Sequence, residues 1–363
     1  MRVLIAAGGT GGHIYPGIAV AQELMRRLPN SIVRFVGTVR GLESKLVPKA
    51  GFELSLIESS GLKNVGIVAC TRGVLLLPRS FRSARSLIRE FKPDVVVGAG
   101  GYVSGPVVLT AALMRVPTMV MESNALPGWT NRVLARFVDK AAVSFEEALP
   151  YFRGRGVLTG NPVRHDFSEI EPKDHSGVLS VLVFGGSQGA RAINNAVIET
   201  IPLLNSLPEQ IRIVHQTGEA DYENVLAAYL AAGWQDRAHV RRYIDDMVSE
   251  FSRADVVVCR AGATTTAELI AAGKASIMVP FPFAADDHQR KNAEALSAAG
   301  AAKMILQQEL SPERLAREIG DLVRSPEQLK VMEASARKLA HGDAAATAVD
   351  MMIELAGAGI RAR

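Results

Sequence analysis

Cysteine is scarce: Cys70 and Cys259 are the only two in 363 residues. Two thiols cannot build a disulfide framework, and no CxxC pair or Cys/His cluster marks a metal site. No uninterrupted apolar run of membrane-crossing length is present either. The nearest, Val95 to Met114, is uncharged but broken by Gly98, Gly100, Gly101, Gly105 and Pro106. It reads as a buried strand, a glycine turn and a buried helix. The apolar stretch after Met1 is too short for a signal peptide, so the chain reads as cytoplasmic. Charge excess is small: 41 Lys and Arg against 37 Asp and Glu, net +4, which by itself implies no nucleic acid. Aromatics are 6% and hydrophobic residues 48%, an ordinary globular balance that rules out disorder, collagen and coiled coil.

Several nucleotide-chemistry signatures are also missing. Strand-like Ile32–Val36 ends in Gly37-Thr38, without the acid that a dinucleotide fold places on a ribose. No glycine loop is followed by Lys-Ser or Lys-Thr, which disfavours a Walker-type triphosphatase.

What is present is a repeated device. Short Val/Ile-rich runs alternate with helical spacing: Val3–Ala6, Ile32–Val36, Leu54–Ile57, Val95–Val97, Thr118–Met121 and Ala141–Ser144, then Leu179–Phe184, Ile211–His215, Val240–Tyr243, Val256–Cys259, Ile277–Val279 and Lys303–Leu306. Such alternation predicts parallel sheets covered on both faces, and two series predict two α/β lobes. The boundaries read as a first lobe over 1–163, a polar linker over 164–177, a second lobe over 178–340, and a helix over 341–363 expected to pack back on the first lobe.

Three strands run straight into glycine turns that open helices: Gly8-Gly9-Thr10-Gly11-Gly12-His13, Gly98 to Pro106, and Gly185 to Ala190. Open α/β sheets bind ligands at such carboxyl ends, and helix N-termini favour phosphates. Pro16 is expected in the first turn of its helix. A fourth run, Arg260 to Glu268, follows Val256–Cys259; a carboxylate there suits a ribose diol. Further on, Gln289 suits sugar hydroxyls, and Asp245-Asp246 and Asp286-Asp287 read as helix-starting acids rather than metal ligands. From Lys63 to Lys92 there are seven basic residues and one acid, Glu90, around Val74-Leu75-Leu76-Leu77. This is a membrane-surface segment or a core helix with arginines on its wet face.

Together the segments GGTGGHIYPG, GAGGYVSGP, ESNALPGWTN, GNPVR, GGSQGA, YIDDM, CRAGATTTAE and DDHQRKNA resemble the MurG-type glycosyltransferases over nearly the whole chain. The resemblance implies the GT-B fold, two Rossmann-like doubly wound parallel-sheet lobes facing a deep cleft. It implies transfer of N-acetylglucosamine from UDP-GlcNAc to lipid I (undecaprenyl-pyrophosphoryl-MurNAc-pentapeptide), giving lipid II for peptidoglycan, with no cofactor and no metal. Thr10, Gly11 and Gly12 would line the donor sugar, Asn124 would contact the GlcNAc, and Arg164 would contact the donor from the lobe boundary. Ser187 would hold a donor phosphate, Ile244 would present backbone groups to uracil, and Gln289 would bind sugar hydroxyls. Ala263, Thr264, Thr265, Thr266 and Ala267 would wrap the nucleotide, with Glu268 on the ribose. The first two turns would face the acceptor's pyrophosphate through Gly100, Gly101, Tyr102 and Ser104. The chain departs from the family pattern at Met121, Ser123 and His288.

Displacing UDP from an anomeric carbon needs a base for the attacking hydroxyl and support for the leaving group. His13 is the expected base and, with Glu268, carries catalysis. The third turn supports the leaving group, with Arg260 an extra counter-charge, and one displacement inverts the anomeric centre. Leu75, Leu76, Leu77, Arg79, Phe81 and Arg82 are the expected membrane contact. The expected partners are an anionic membrane surface, at the cytoplasmic face of the inner membrane, and proteins of cell-wall synthesis and division. Two other readings remain: a related enzyme with another lipid acceptor such as diglyceride, and a non-catalytic nucleotide-sugar-binding or scaffold protein. Sugar-transfer and lipid-extraction assays separate them.

Overall fold

The computed structural model describes residues 1–9, 11–38, 41–57, 67–207, 211–284, 287–340 and 342–361; for 67–76 and 359–361 only the backbone is described. The chain divides into two compact units, Met1–Arg164 with His341–Arg363, and His165–Ala340.

Unit 1 runs β1 (Arg2–Ala7), α1 (Gly11–Arg27), β2 (Ile32–Gly37), α2 (Glu43–Lys49), β3 (Glu53–Leu56), α3 (Ile67–Phe91), β4 (Val95–Gly100), α4 (Ser104–Leu113), β5 (Thr118–Glu122), α5 (Trp129–Leu134), β6 (Lys140–Val143) and β7 (Gly156–Leu158). Unit 2 runs β8 (Leu179–Phe184), α6 (Arg191–Asn205), β9 (Ile211–Gln216), α7 (Tyr222–Ala231), β10 (Ala238–Arg241), α8 (Met247–Arg253), β11 (Val256–Cys259), α9 (Ala263–Ala272), β12 (Ser276–Met278), α10 (His288–Ala298), β13 (Ala302–Met304), α11 (Pro312–Val323) and α12 (Pro326–Lys338). The chain then returns to unit 1 as α13 (Ala344–Arg361).

Each unit is built on one parallel sheet, ordered β3-β2-β1-β4-β5-β6-β7 in unit 1 and β10-β9-β8-β11-β12-β13 in unit 2. The order reverses between β1 and β4 and between β8 and β11. Loops leaving neighbouring strands at such a point diverge to opposite faces and open a crevice at the carboxyl ends. All four glycine-containing runs singled out in the sequence leave these four strands.

Alternation decides the layers. In β1, Val3 and Ile5 pack with Ile14, Ile18 and Leu24 of α1 and with Val349 and Met352 of α13. Leu4 and Ala6 face the other way, among Ala84 and Ile88 of α3 and Val107 of α4. In unit 2, Val181, Val183 and Ile213 pack under α6, α7 and α11. Each fully buried Leu, Ile or Val contributes about 1.5–3 kcal/mol by leaving water.

Three local expectations shift. Helix α1 starts at Gly11, inside the glycine turn, so Pro16 lies in the second turn and not the first. The carbonyl that Pro16 cannot bond is that of Gly12, where no side chain meets the ring. Strand β10 is Ala238–Arg241 and not Val240–Tyr243, because its ladder to β9 pairs Ala238 with Ile213 and ends at Arg241. The three-residue edge strand β7 carries too little pattern to be read. The polar 165–177 segment, read as a linker, buries Phe167 edge-on against Phe251 at 5.1 Å between ring centres. It also buries His175, whose Nδ1 lies 2.8 Å from the Asp255 carboxylate.

Candidate active site

In unit 1 the turns after β1 and β4 lie against each other. A Cβ on Gly101 would fall 2.1 Å from the Gly8 carbonyl oxygen, and one on Gly100 would fall 2.3 Å from the His13 ring. Both glycines have positive φ, 81° and 119°, so two independent demands exclude any other residue. His13 is half-buried in the first turn of α1, with Nδ1 3.2 Å from the Gly8 carbonyl oxygen. A carbonyl only accepts, so this bond requires the proton on Nδ1 and puts the ring lone pair on Nε2, the tautomer a general base needs. Gly11 and Gly12 are half-buried at the start of α1, while Thr10 lies outside the described residues.

Ser104, expected to face the acceptor, is fully buried. Its hydroxyl donates toward the carbonyls of Ala6 and Gly100, 2.8 Å each, and accepts from the Gly100 N–H at 3.0 Å. It therefore shapes the turn from inside, and the exposed side chain there is Tyr102. Glu43 was not anticipated: its buried carboxylate accepts from the N–H of Gly9 at 3.0 Å and from the N–H and hydroxyl of Thr38 at 2.7 and 2.8 Å. Two turns are thereby pinned to α2.

The loop after β5 is organised by Glu122, also missed. Its buried carboxylate accepts from the Asn124 N–H (3.0 Å), the Asn124 amide (3.2 Å), the Gly128 N–H (3.0 Å) and the Asn131 amide (2.9 Å). Burial raises its pKa against the pull of these bonds. Asn124 is thus held half-exposed at a strand end, while the hydroxyl of Ser123 donates to Asn161 at 2.8 Å. The Arg164 guanidinium lies 5.7 Å from the centre of the Tyr15 ring.

In unit 2 the turn after β8 reverses through Gly186 and Gly189, both at positive φ. Ser187 is exposed at its tip. No side chain caps α6 at Ala190, which leaves its first N–H groups without a capping partner. Gln216, at the end of β9, is the third residue missed. Buried, it donates to the Gly186 carbonyl at 2.9 Å and accepts from the Ile244 N–H at 2.7 Å. Ile244 therefore has only its carbonyl to offer a base, because its N–H is already bonded. A polar residue ending an apolar strand was the available signal.

At α9, Ala263, Thr264 and Thr265 are half-buried, whereas Thr266 and Ala267 are buried and the Thr266 hydroxyl bonds the Gly262 carbonyl at 3.0 Å. The Thr264 hydroxyl is buried with no protein partner among the described residues. Glu268 is half-buried, and its charge adds to burial in raising the pKa of the Cys259 thiol. Gln289 accepts from the Phe281 N–H at 2.9 Å. Arg260, expected as a counter-charge, donates instead to the carbonyls of Val279 and Pro280 and to Gln307, at 3.0, 3.2 and 2.6 Å. Burial lowers its pKa to about 10, and it braces a loop rather than facing a ligand. Asp246 caps α8 through the Ser249 N–H at 3.1 Å. Asp286 lies outside the described residues.

On α3, Arg79, Arg82, Arg85 and Arg89 are exposed, while Ala84, Ile88 and Phe91 are core. Leu77 and Phe81 are half-buried, and Leu75 and Leu76 lie where only the backbone is described. The end of α3 is thus a core helix with wet arginines. A second surface was not foreseen: Trp129, Val133 and Phe137 are 49%, 39% and 47% exposed, and with Arg132 and Arg136 they line one recess. Among the described residues no helix is long and apolar enough to cross a membrane.

The profile described as the glycosyltransferase family 28 N-terminal domain matches residues 3–143, and that of the family 28 C-terminal domain matches residues 180–348. A protein of Anaeromyxobacter dehalogenans (strain 2CP-C), named UDP-N-acetylglucosamine--N-acetylmuramyl-(pentapeptide) pyrophosphoryl-undecaprenol N-acetylglucosamine transferase, is 51% identical over 98% of this chain and 93% of its own. A Myxococcus xanthus (strain DK1622) protein of the same name is 48% identical at the same coverage. The crystal structure of Acinetobacter baumannii MurG superposes with a TM-score of 0.78 at 32% identity, over 97% of this chain and 99% of that one. With both lobes matched in order and the likeness running nearly end to end, the chain belongs to glycosyltransferase family 28 and to its MurG-type members.

Proposed function

We propose that this chain is an inverting glycosyltransferase that moves GlcNAc from UDP-GlcNAc to the muramyl 4-hydroxyl of lipid I, giving lipid II. The observation that carries the reading is its near-full-length likeness to relatives named for this transfer. Unit 2 holds the donor. Glu268 accepts two hydrogen bonds from the ribose diol, the Ile244 carbonyl meets uracil, and Ala263 to Thr265 border the nucleotide. Ser187 and the uncapped N–H groups of α6 take up charge as the diphosphate departs. Gln289 contacts the sugar hydroxyls. The acceptor pyrophosphate lies at the paired turns after β1 and β4, beside Tyr102. His13 Nε2 removes the proton from the attacking hydroxyl, and displacement at the anomeric carbon turns an α-linked donor into a β link.

The acceptor carries a polyprenyl chain, and we place the protein at the cytoplasmic face of the membrane. The arginine-lined face of α3 with Leu77 and Phe81, and the Trp129–Phe137 recess with its two arginines, pair apolar surface with cations as anionic lipid requires. A donor screen tests the assignment. With a short-chain lipid I analogue, UDP-GlcNAc should give product while UDP-Glc and UDP-Gal give little. Efficient transfer to diglyceride instead would overturn it.

A further inference from the structure

Parallel sheets are ordinarily covered on both faces, yet one face of unit 2 is left open near its β10 edge. The ladder registers Ser180 beside Arg212, Leu182 beside Val214 and Val214 beside His239, with Arg241 two residues further along β10. Alternation puts all of these on one face, opposite the core face of Val181 and Ile213. Helix α8 walls one side with Glu250 and Arg253, leaving a recess of about 230 Å³. Leu182, Val214 and Ala254 line it as apolar floor, with Arg212, Arg241 and Arg253 as cations and His239 beside them.

The charge here is unbalanced. The one acid lining the recess, Glu250, lies 3.5 Å from Arg253. Arg212, His239 and Arg241 are exposed and have no ion-pair or side-chain hydrogen-bond partner among the described residues. Neighbouring Arg242, outside the recess, reaches both Glu219 and Glu223. Cations on an edge strand deter sheet-to-sheet pairing, but Arg212 stands on β9, an inner strand, where that purpose does not apply.

We propose that this recess binds a small organic phosphate monoester, a dianion with an apolar body. Arg212 and Arg241, both lining the recess, match a group of two negative charges, and the floor, which a bare oxyanion would leave uncovered, takes the apolar part. The concavity favours a small molecule over a lipid surface, since among the described residues no large exposed hydrophobic side chain lines it.

The test is calorimetric titration of the full chain, saturated with UDP, using 1-naphthyl phosphate as probe. One saturable site is expected, with inorganic phosphate and 1-naphthol each binding at least tenfold more weakly. Affinity should fall tenfold or more in Arg212→Gln/Arg241→Gln and hold within about threefold in Arg212→Lys/Arg241→Lys, where the charges remain. The Arg242→Gln control should bind as the wild type does, and UDP affinity should be the same in all variants. The proposal is overturned by unchanged affinity in the double glutamine variant, by an equal loss in Arg242→Gln, by displacement of the bound UDP by the probe, or by no saturable binding. Aggregation of the glutamine variant with its probe affinity intact would assign the cations to edge protection instead.

Discussion

At the residue scale the chemistry rests on few side chains, and each is held by others. His13 is fixed in its basic tautomer by one carbonyl, so its removal should strike turnover and spare donor binding. His13→Ala is expected to lower kcat by about 100- to 10,000-fold with the UDP dissociation constant within threefold of wild type; collapse of UDP binding instead would make His13 a binding residue. Glu268→Ala should do the reverse. Losing two charge-assisted bonds, about 1.5–3 kcal/mol each, should weaken UDP by roughly 100-fold or more in a titration. Unchanged UDP affinity there would remove Glu268 from the nucleotide site. Sequence makes such residues visible because they sit on glycine turns next to apolar strands. It hides Glu43, Glu122 and Gln216, because nothing in a lone buried carboxylate or carboxamide says which backbone N–H groups the fold will turn toward it. It also makes Arg260 look available, since a guanidinium's engagement with three acceptors in later loops has no local signature.

At the element scale, strands rich in Val and Ile and the glycine turns behind them are legible, while ends set by pairing are not. Strand β10 is placed by its ladder, and β7 by an edge it joins. Strand β9 shows what packing does to a titratable group. His215 is buried between α6 and α7, its Nε2 3.1 Å from the Asn194 carboxamide oxygen and its Nδ1 3.2 Å from the Tyr229 hydroxyl. Burial lowers its pKa to about 3. The unfolded chain takes up this proton near pH 6.5 and the folded chain does not. The stability it contributes is therefore complete above pH 6.5 and lost progressively as pH falls toward 3, by roughly 3–5 kcal/mol in all. His215→Gln should flatten the fall in melting temperature between pH 6.5 and 4; an equal slope in both proteins would assign the acid lability to other groups. The surface of α3 and α5 yields a further expectation. Binding to anionic vesicles should weaken with salt and fall in Trp129→Ser/Phe137→Ser, with UDP affinity retained. Undiminished vesicle binding in that folded variant would place the lipid contact elsewhere.

At the scale of the whole molecule, the two units are unequal in how the chain makes them. Unit 2 is one continuous segment, while unit 1 is completed by α13, whose Ala348, Val349 and Met352 are buried beside α1. Arg27 adds a 2.6 Å ion pair to Asp350 across the same contact. Met352→Ala should cost about 2–5 kcal/mol and should act on unit 1. The two tryptophans fall one in each unit, Trp129 in unit 1 and Trp234 in unit 2. Fluorescence of single-tryptophan variants therefore reads them separately. The denaturation midpoint followed at Trp129 should drop, and that at Trp234 should move much less; equal movement would mean that the two units unfold as one.

The return of α13 also fixes an order of events during synthesis. Domains generally fold as they emerge from the ribosome, the N-terminal one first. Here β1 waits for α13 before the apolar face it shares with α1 is covered. Unit 2 is translated entirely within that interval. The half of the molecule that begins first finishes second, and its unsealed core is exposed to chaperones and proteases for as long as the other half takes to be made.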